Sequence, residues 1–319
     1  TADKGVTLYY TLSTATPHLG STKYTGPITI TKDTTFTVVG IDKYGTRTPV
    51  TTKTVSGLPP TATPDISYEN GLLTLSCDTP GAAIYYTTDG STPTASSTLY
   101  TAPFTPATTT KCIALLDGHL NSPVVTCTLT KYGRLFTDVP ESAWYYDSVG
   151  EIVQQGVMNG TGDYTFSPDT VTTRAMLATV LHNLAGAPEA GDNLGYPYAD
   201  VDANAYYALP VYWARQNGLV DGYPDNTFRP DTALTREQAA VLLYRFAAFR
   251  GMDTTARADL SVYTDKAQIN AYAQEAMQWA VATGLLSGRT ATTLVPQGST
   301  SRAERAAILT RFTALEQTV

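Results

Sequence analysis

Cysteine and histidine are scarce: Cys77, Cys112, Cys127, His18, His119 and His182 are the only soft ligands in 319 residues. No two cysteines have zinc-type spacing and no two histidines lie within a helical turn of each other, so no metal site or cofactor is expected. Basic charge is short as well. Twenty-one Lys and Arg against 28 Asp and Glu leave a net charge of −7, which argues against a nucleic-acid partner, because phosphate binding needs a basic surface. No apolar run approaches the roughly 20 residues of a membrane span, so no membrane insertion is expected. A basic-then-apolar leader is missing too, and the first residue is Thr1; a signal peptide is expected to have been removed or to lie upstream in a longer protein. No Ser/His/Asp arrangement, paired-carboxylate constellation or phosphate loop emerges, so no catalytic residues are assigned and the protein is expected not to be an enzyme.

What is present divides near residue 130. Residues 1–130 hold 34 threonines and 9 alanines; residues 131–319 hold 21 threonines and 29 alanines. Thr favours strands and Ala favours helices, so an all-β part followed by a mostly α part is predicted.

The first part repeats. Tyr9-Tyr10-Thr11, Pro17, Tyr24-Thr25 and Pro27 recur 76 residues later as Tyr85-Tyr86-Thr87, Pro93, Tyr100-Thr101 and Pro103. Two copies of one module are predicted, 1–57 and 58–130, with a stiff linker at Ser56–Pro60. Short alternating runs such as Ala83–Thr87 and Cys112–Leu116, with Asp-Gly turns at 89–90 and 117–118, suggest small antiparallel sandwiches. The second copy has about 20 residues before its Tyr-Tyr pair and the first only eight, so the first is expected to lack its opening strands. If residues 111–128 form a hairpin about the turn at Asp117-Gly118, Cys112 and Cys127 could face each other; a disulfide and two buried free thiols are both open. Pro80–Pro93 resembles the chitobiase/β-hexosaminidase C-terminal-like module, a fibronectin type III-like (immunoglobulin-like) sandwich found as an accessory piece in bacterial surface proteins. The tyrosines fit either strand packing or a glycan-stacking platform.

The second part repeats three times. Arg174, Arg236 and Arg302 each follow a glycine (Gly160, Gly222, Gly288) by 14 residues, with Phe166, Phe228 or Leu294 at six and Pro168, Pro230 or Pro296 at eight. Asp138, Asp200 and Asp265 precede those glycines by 22, 22 and 23 residues. Each unit reads as helix, loop, helix. The first helix carries Trp144, Tyr206 or Tyr272 at its start and ends at Gly156, Gly218 or Gly284 as a left-handed cap. The second starts at Thr173, Thr235 or Ser301 as N-cap and has the apolar stripe Val180/Leu181/Leu184, Leu242/Leu243/Phe246 or Ile308/Leu309/Phe312. Three such stripes need one another to be buried. Asp221–Thr227 lacks alternating acidic ligands and reads as a turn rather than a calcium loop.

Thr173-Arg174-Ala175-Met176, Thr235-Arg236-Glu237-Gln238 and Ser301-Arg302-Ala303-Glu304, with the loop Gly222–Pro230, resemble the S-layer homology (SLH) domain. The repeats span 134–190, 196–252 and 260–317. The resemblance implies an α-helical pseudo-threefold SLH trimer whose grooves, between neighbouring repeats, bind pyruvylated secondary cell-wall polysaccharide and hold exoproteins on a Gram-positive-type bacterial envelope. The side chains suit that chemistry: residues 131–319 hold 12 arginines and 2 lysines, and Arg meets a ketal carboxylate bidentately. Arg174, Arg236 and Arg302 are the expected anion anchors, one groove per repeat pair; Trp144, Tyr206 and Tyr272 are expected to stack on sugar; Asp138, Asp200 and Asp265 to accept hydroxyls; Gly160, Gly222 and Gly288 to open the loop. The alternatives are that each Arg pairs with an acidic residue of the preceding loop and locks the loop–helix junction, and that each Asp serves an N-cap or turn. The third repeat, with Arg289–Thr292 in place of the Tyr-Pro-Asp-Asn turn, is expected to bind weakly, and Arg174 is expected to be less supported, for want of a glutamate at Met176. The overall expectation is a secreted, extracellular cell-wall anchor with β modules as spacers for an upstream cargo. The alternatives are a self-assembling S-layer subunit and glycan-binding β modules.

Overall fold

Period-two runs rich in Thr, Val and Tyr form the strands of the first half, and a computed structural model shows how they pair. The structure describes residues 5–28, 30, 32–189 and 198–317; the module boundaries expected at 1, 190 and 196 lie outside them. The chain forms two compact units, 1–129 and 130–319.

In the first unit, β1 (Val6–Thr11), β2 (Thr22–Lys23), β3 (Thr34–Asp42) and β4 (Thr51–Val55) make an antiparallel sheet in the order β2-β1-β3-β4. The second copy repeats it: β7 (Ala83–Thr87), β8 (Thr98–Leu99), β9 (Thr109–Leu115) and β10 (Val125–Leu129) run in the order β8-β7-β9-β10. Ahead of them β5 (Asp65–Glu69) and β6 (Leu72–Ser76) form a hairpin whose turn residues Asn70 and Gly71 have φ of 51° and 82°, the left-handed pair that a two-residue hairpin needs. Leu73 of β6 exchanges backbone hydrogen bonds with Phe104, bringing Leu73 and Leu75 into a core with Ile84, Cys112 and Ala114. The first copy has no counterpart of β5–β6 among the described residues.

The cysteines do not face each other. Cys112 pairs with Val125 and Cys127 with Thr110, two residues out of register, and both are free, buried thiols. Burial raises each of them to about 12. Tyr86 stacks on Phe104 with ring centroids 4.1 Å apart, so that tyrosine is a packing residue.

The second unit contains α1 (Tyr146–Gln154), α2 (Arg174–Leu184), α3 (Ala208–Gln216), α4 (Arg236–Phe249), α5 (Gln274–Ala282) and α6 (Arg302–Glu316). Gly156, Gly218 and Gly284 close the first helix of each repeat with φ near 70° (71°, 68° and 73°), a conformation that costs a Cβ-bearing residue energy. The second helices start as expected: Thr173, Thr235 and Ser301 accept the N–H of Met176, Gln238 and Glu304. Their apolar stripes meet around Leu181, Leu243, Leu309, Phe246 and Phe312 in one core. The helix pairing crosses the repeats: α2 packs on α3, α4 on α5, and α6 on α1. Backbone hydrogen bonds follow the same direction. Arg174 and Ala175 donate to Thr232 and Pro230, Arg236 and Glu237 to Gly298 and Pro296, and Arg302 and Ala303 to Thr170 and Pro168. Each repeat's second helix is thus held by the loop of the next, and the third returns to the first.

Candidate functional site

The arginine two places into each capped helix continues that exchange with its side chain. Arg174 donates from Nε to the carbonyl of Phe228 (2.8 Å) and from Nη2 to that of Asp221 (3.0 Å). Arg236 makes the same pair with Leu294 (2.9 Å) and Ser287 (2.6 Å), and Arg302 with Phe166 (2.8 Å) and Asn159 (2.6 Å). Arg174 and Arg302 also lie over the rings of Phe228 and Phe166, 4.7 and 4.6 Å from the centroids. Burial lowers all three guanidinium groups from their ordinary value. The junction each arginine locks is therefore the neighbour's loop, by way of carbonyl groups, and its other terminal nitrogen is not used in either bond.

The aspartates hold the same loops from the other side. Asp138 accepts the N–H groups of Phe166 (2.8 Å) and Ser167 (2.6 Å), Asp200 those of Phe228 and Arg229 (both 2.7 Å), and Asp265 those of Leu294 (2.9 Å) and Val295 (2.7 Å). Ser167, Arg229 and Val295 have φ of 56°, 57° and 53°, so each carboxylate fastens a strained residue and the one before it, with a charge-assisted bond to each. Burial alone would raise Asp265; the two N–H groups outweigh it, and its carboxyl lies below the ordinary range. These aspartates are not among the residues lining the grooves described below, and their oxygens already serve the loop. The glycines belong to the same turn: a Cβ at Gly222 would collide with the Tyr198 ring, one at Gly288 with the Thr290 carbonyl, and one at Gly160 would sit 2.7 Å from the Thr165 oxygen.

Trp144, Tyr206 and Tyr272 stand two residues ahead of α1, α3 and α5 instead of inside them. They are 67, 66 and 58% exposed, unusual for large aromatics. Trp144 and Tyr206 rest edge-on against Tyr145 and Tyr207. Tyr272, followed by Ala273, is instead held by its hydroxyl, which donates to Glu237 (2.8 Å); burial and that bond push Tyr272 up to about 12.

These parts meet in three related grooves, each drawing on all three repeats. Groove 1 (about 470 Å³) has its walls in repeat 1, Arg302 from repeat 3 and Tyr206 from repeat 2. Groove 2 (about 420 Å³) has walls in repeat 2, Arg174 from repeat 1 and Tyr272 from repeat 3. Groove 3 (about 390 Å³) has walls in repeat 3, Arg236 from repeat 2 and Trp144 from repeat 1. Expecting one groove per repeat pair was therefore too simple. The arginine reaches forward onto the next loop, and the aromatic arrives from the repeat beyond because its helix packs on that wall. Gly160, Gly222 and Gly288 line the grooves in the same order.

The period also carries residues that the sequence reading passed over. Asn183, Arg245 and Arg311 occupy one position on the second helix and line grooves 1, 2 and 3, donating to the carbonyls of Val157, Leu219 and Leu285. Counting 62 and 66 residues along that helix would have found them. The grooves differ in charge. Asp221 in groove 2 is paired to Arg215 and Arg245, and Glu304 in groove 3 is paired to Arg289, the residue of the irregular turn. Groove 1 has no carboxylate in its lining.

Three copies of one helical unit, each completing another's groove, define a repeat module whose exchanges return from the third copy to the first. The module is a known one: the chain carries three S-layer homology domain repeats, matched at residues 135–176, 197–240 and 262–306. They are preceded by a chitobiase/beta-hexosaminidase C-terminal domain at 65–126 and an Fn3-associated region at 1–55. Among similar proteins, a cell surface glycoprotein 1 of Acetivibrio thermocellus is 33% identical over 48% of this chain and 7% of its own length. A cellulosome-anchoring protein of the same organism is 31% identical over 50% of this chain and 38% of its own. An endoglucanase of a Bacillus species is 28% identical over 54% of this chain and 18% of its own. The chain thus spans well under half the length of these relatives.

Proposed function

We propose that the helical unit is a non-covalent anchor to the bacterial cell surface, and that its grooves take acidic, pyruvylated secondary cell-wall polysaccharide. On this reading the three SLH repeats form a pseudo-threefold unit, the β modules are spacers for a further region, and no bond-making chemistry is involved. The protein then works at the cell wall, outside the membrane; no helix among the described residues is long and apolar enough to cross one. The observation that carries the reading is the threefold recurrence of one cleft: a guanidinium, a loop glycine and an exposed aromatic drawn from three repeats. The arginine's place beside a helix N-terminus favours an anion, and the exposed ring offers a flat apolar face to a sugar. Names such as cellulosome-anchoring protein and surface-layer 125 kDa protein among the relatives agree with it. Three weak clefts on one body gain avidity on a repeating polymer.

The test is sedimentation of the full chain with purified walls, intact or chemically stripped of pyruvate ketals. Because the arginines also hold the repeats together, the informative variants are Trp144→Ala, Tyr206→Ala and Tyr272→Ala, alone and combined. Loss of binding to stripped walls and by the folded triple variant is the expected result. Equal binding to stripped walls would remove the carboxylate from the reading.

A further inference from the structure

One cation in the helical unit has no carboxylate bonded to it among the described residues; the favourable charge it feels is that of Glu304, beside it on α6. Arg305 lies one turn beyond Arg302 on α6, is fully buried, and makes one hydrogen bond, from Nη2 to the Thr300 hydroxyl at 2.7 Å. Its Nε and Nη1 find no acceptor among the described residues. The repeat puts Leu177 and Ala239 at the equivalent positions, both of them core residues, so the fold itself does not ask for an arginine there. A buried cation with two unbonded nitrogens is destabilising even with a carboxylate nearby, while an apolar residue of similar size is often neutral or better. Arg305 borders groove 1, the cleft without a carboxylate, together with Arg302 and Thr172. The Thr172 hydroxyl is likewise buried without a partner.

We propose that the floor of groove 1 is an internal carboxylate site, in which Arg305 and the Thr172 hydroxyl, with Arg302 beside them, take one small carboxylate. Three unpartnered N–H groups and a hydroxyl match the lone pairs of one carboxylate. Grooves 2 and 3 have no such cation and hold Asp221 and Glu304, so groove 1 is set apart as the acid-selective cleft. Burial lowers Arg305 to about 10, still protonated at neutral pH. The carrier of the carboxylate rests on the function proposed above; the anion site itself does not.

The experiment follows thermal unfolding of the full chain by tryptophan fluorescence, which reports the helical unit alone because Trp144, Trp213 and Trp279 all lie there. Sodium acetate, pyruvate and chloride are compared at equal ionic strength for the wild type, Arg305→Leu and Thr172→Val. Acetate or pyruvate is expected to raise the wild-type midpoint over chloride by on the order of 5 °C at saturation. Arg305→Leu is expected to start higher and lose the response; Thr172→Val, which keeps the buried cation, is expected to reduce it. An unchanged response in Arg305→Leu, an equal effect of chloride, or no wild-type response overturns the site. Wall sedimentation separates the sources. A carboxylate response that depends on Arg305, with stripped walls bound as well as intact ones, keeps the site and rejects the polymer as its carrier. Ketal-dependent wall binding that Arg305→Leu leaves unchanged, with no response to free carboxylates, rejects the site and keeps the anchor.

Discussion

The two units both repeat a module, yet they use repetition in opposite ways. In the β unit the ladders join strands of the same copy: β1 to β3 and β3 to β4 in the first, β7 to β9 and β9 to β10 in the second. In the helical unit the bonds that matter leave the copy, carried by Arg174, Arg236 and Arg302 to the next loop. A residue repeated at fixed period therefore means different things in the two halves. Tyr86 marks its own module's packing; Arg236 marks its neighbour's. No helical repeat has a complete groove without the other two.

The sharpest way to break this contrast is to cut one exchanged bond. Arg236→Ala removes two charge-assisted bonds and leaves the Leu294 and Ser287 carbonyls without their donor, at a cost of roughly 4 kcal/mol. The expected result is a helical unit that unfolds early by tryptophan fluorescence, all of it and not repeat 2 alone, while β-sheet circular dichroism keeps its own transition. A local effect confined to one repeat would contradict the cyclic exchange. Leu73→Ala is the counterpart in the β unit. It empties a fully buried position and is expected to cost about 3 kcal/mol, with tryptophan fluorescence and wall sedimentation unchanged.

Much of this was legible in the sequence, for physical reasons. N-caps, left-handed glycines and apolar stripes are local, so Thr173, Gly156 and Leu181 announced themselves through spacing alone. The two-module β organisation followed from a shift of 76 in the tyrosines. What period arithmetic does not carry is direction: it aligns Arg174 with Arg236 without saying whose loop each one meets. It also does not separate a carboxylate that binds ligand from one that clamps backbone, so for Asp138, Asp200 and Asp265 the hydroxyl-acceptor and turn readings both stand on sequence, and it is the turn that their oxygens serve, through the N–H groups of the positive-φ residues. The offset of Cys112 and Cys127 is a matter of counting: a two-residue turn at 117–118 sets Cys112 opposite residue 123, the ladder sets it opposite Val125, and neither register reaches Cys127.

A smaller effect tests whether the clefts are as equivalent as their repeat suggests. Glu237 is buried and accepts from the Asn270 backbone, its side chain and the Tyr272 hydroxyl; repeats 1 and 3 have Ala175 and Ala303 at this place. Burial alone would raise its carboxyl, but the bonds from Asn270 and Tyr272 outweigh it and lower it from the ordinary 4.5. A depressed folded-state value means stabilisation that is full above the unfolded value and lost as pH falls through the folded one. Glu237→Gln is expected to cost about 1–2 kcal/mol at pH 7, and the difference from wild type to close below about pH 4.5 in urea titrations. A constant gap down to pH 3 would assign the effect to shape instead of charge. Groove 2 is the cleft expected to feel the change, because Tyr272 lines it.

The smallest effect separates stability from binding within groove 1. Thr235 and Ser301 form reciprocal capping boxes with Gln238 and Glu304, whereas Thr173 caps α2 alone because Met176 stands at the third position. Met176→Gln and Met176→Glu both complete the box, and each is expected to stabilise the helical unit by about 0.5 kcal/mol. Met176 also lines groove 1, beside Arg302 and Arg305. The glutamate variant places a carboxylate where the cleft otherwise has none, and it competes with an incoming acid for the same guanidinium groups. Met176→Glu should therefore raise the midpoint in chloride and weaken the acetate response severalfold, while Met176→Gln raises the midpoint and leaves the response intact. If both variants bind acetate alike, the missing glutamate of the first repeat is a matter of helix capping only. If they part, repeat 1 gave up a cap to keep its cleft free for an anion.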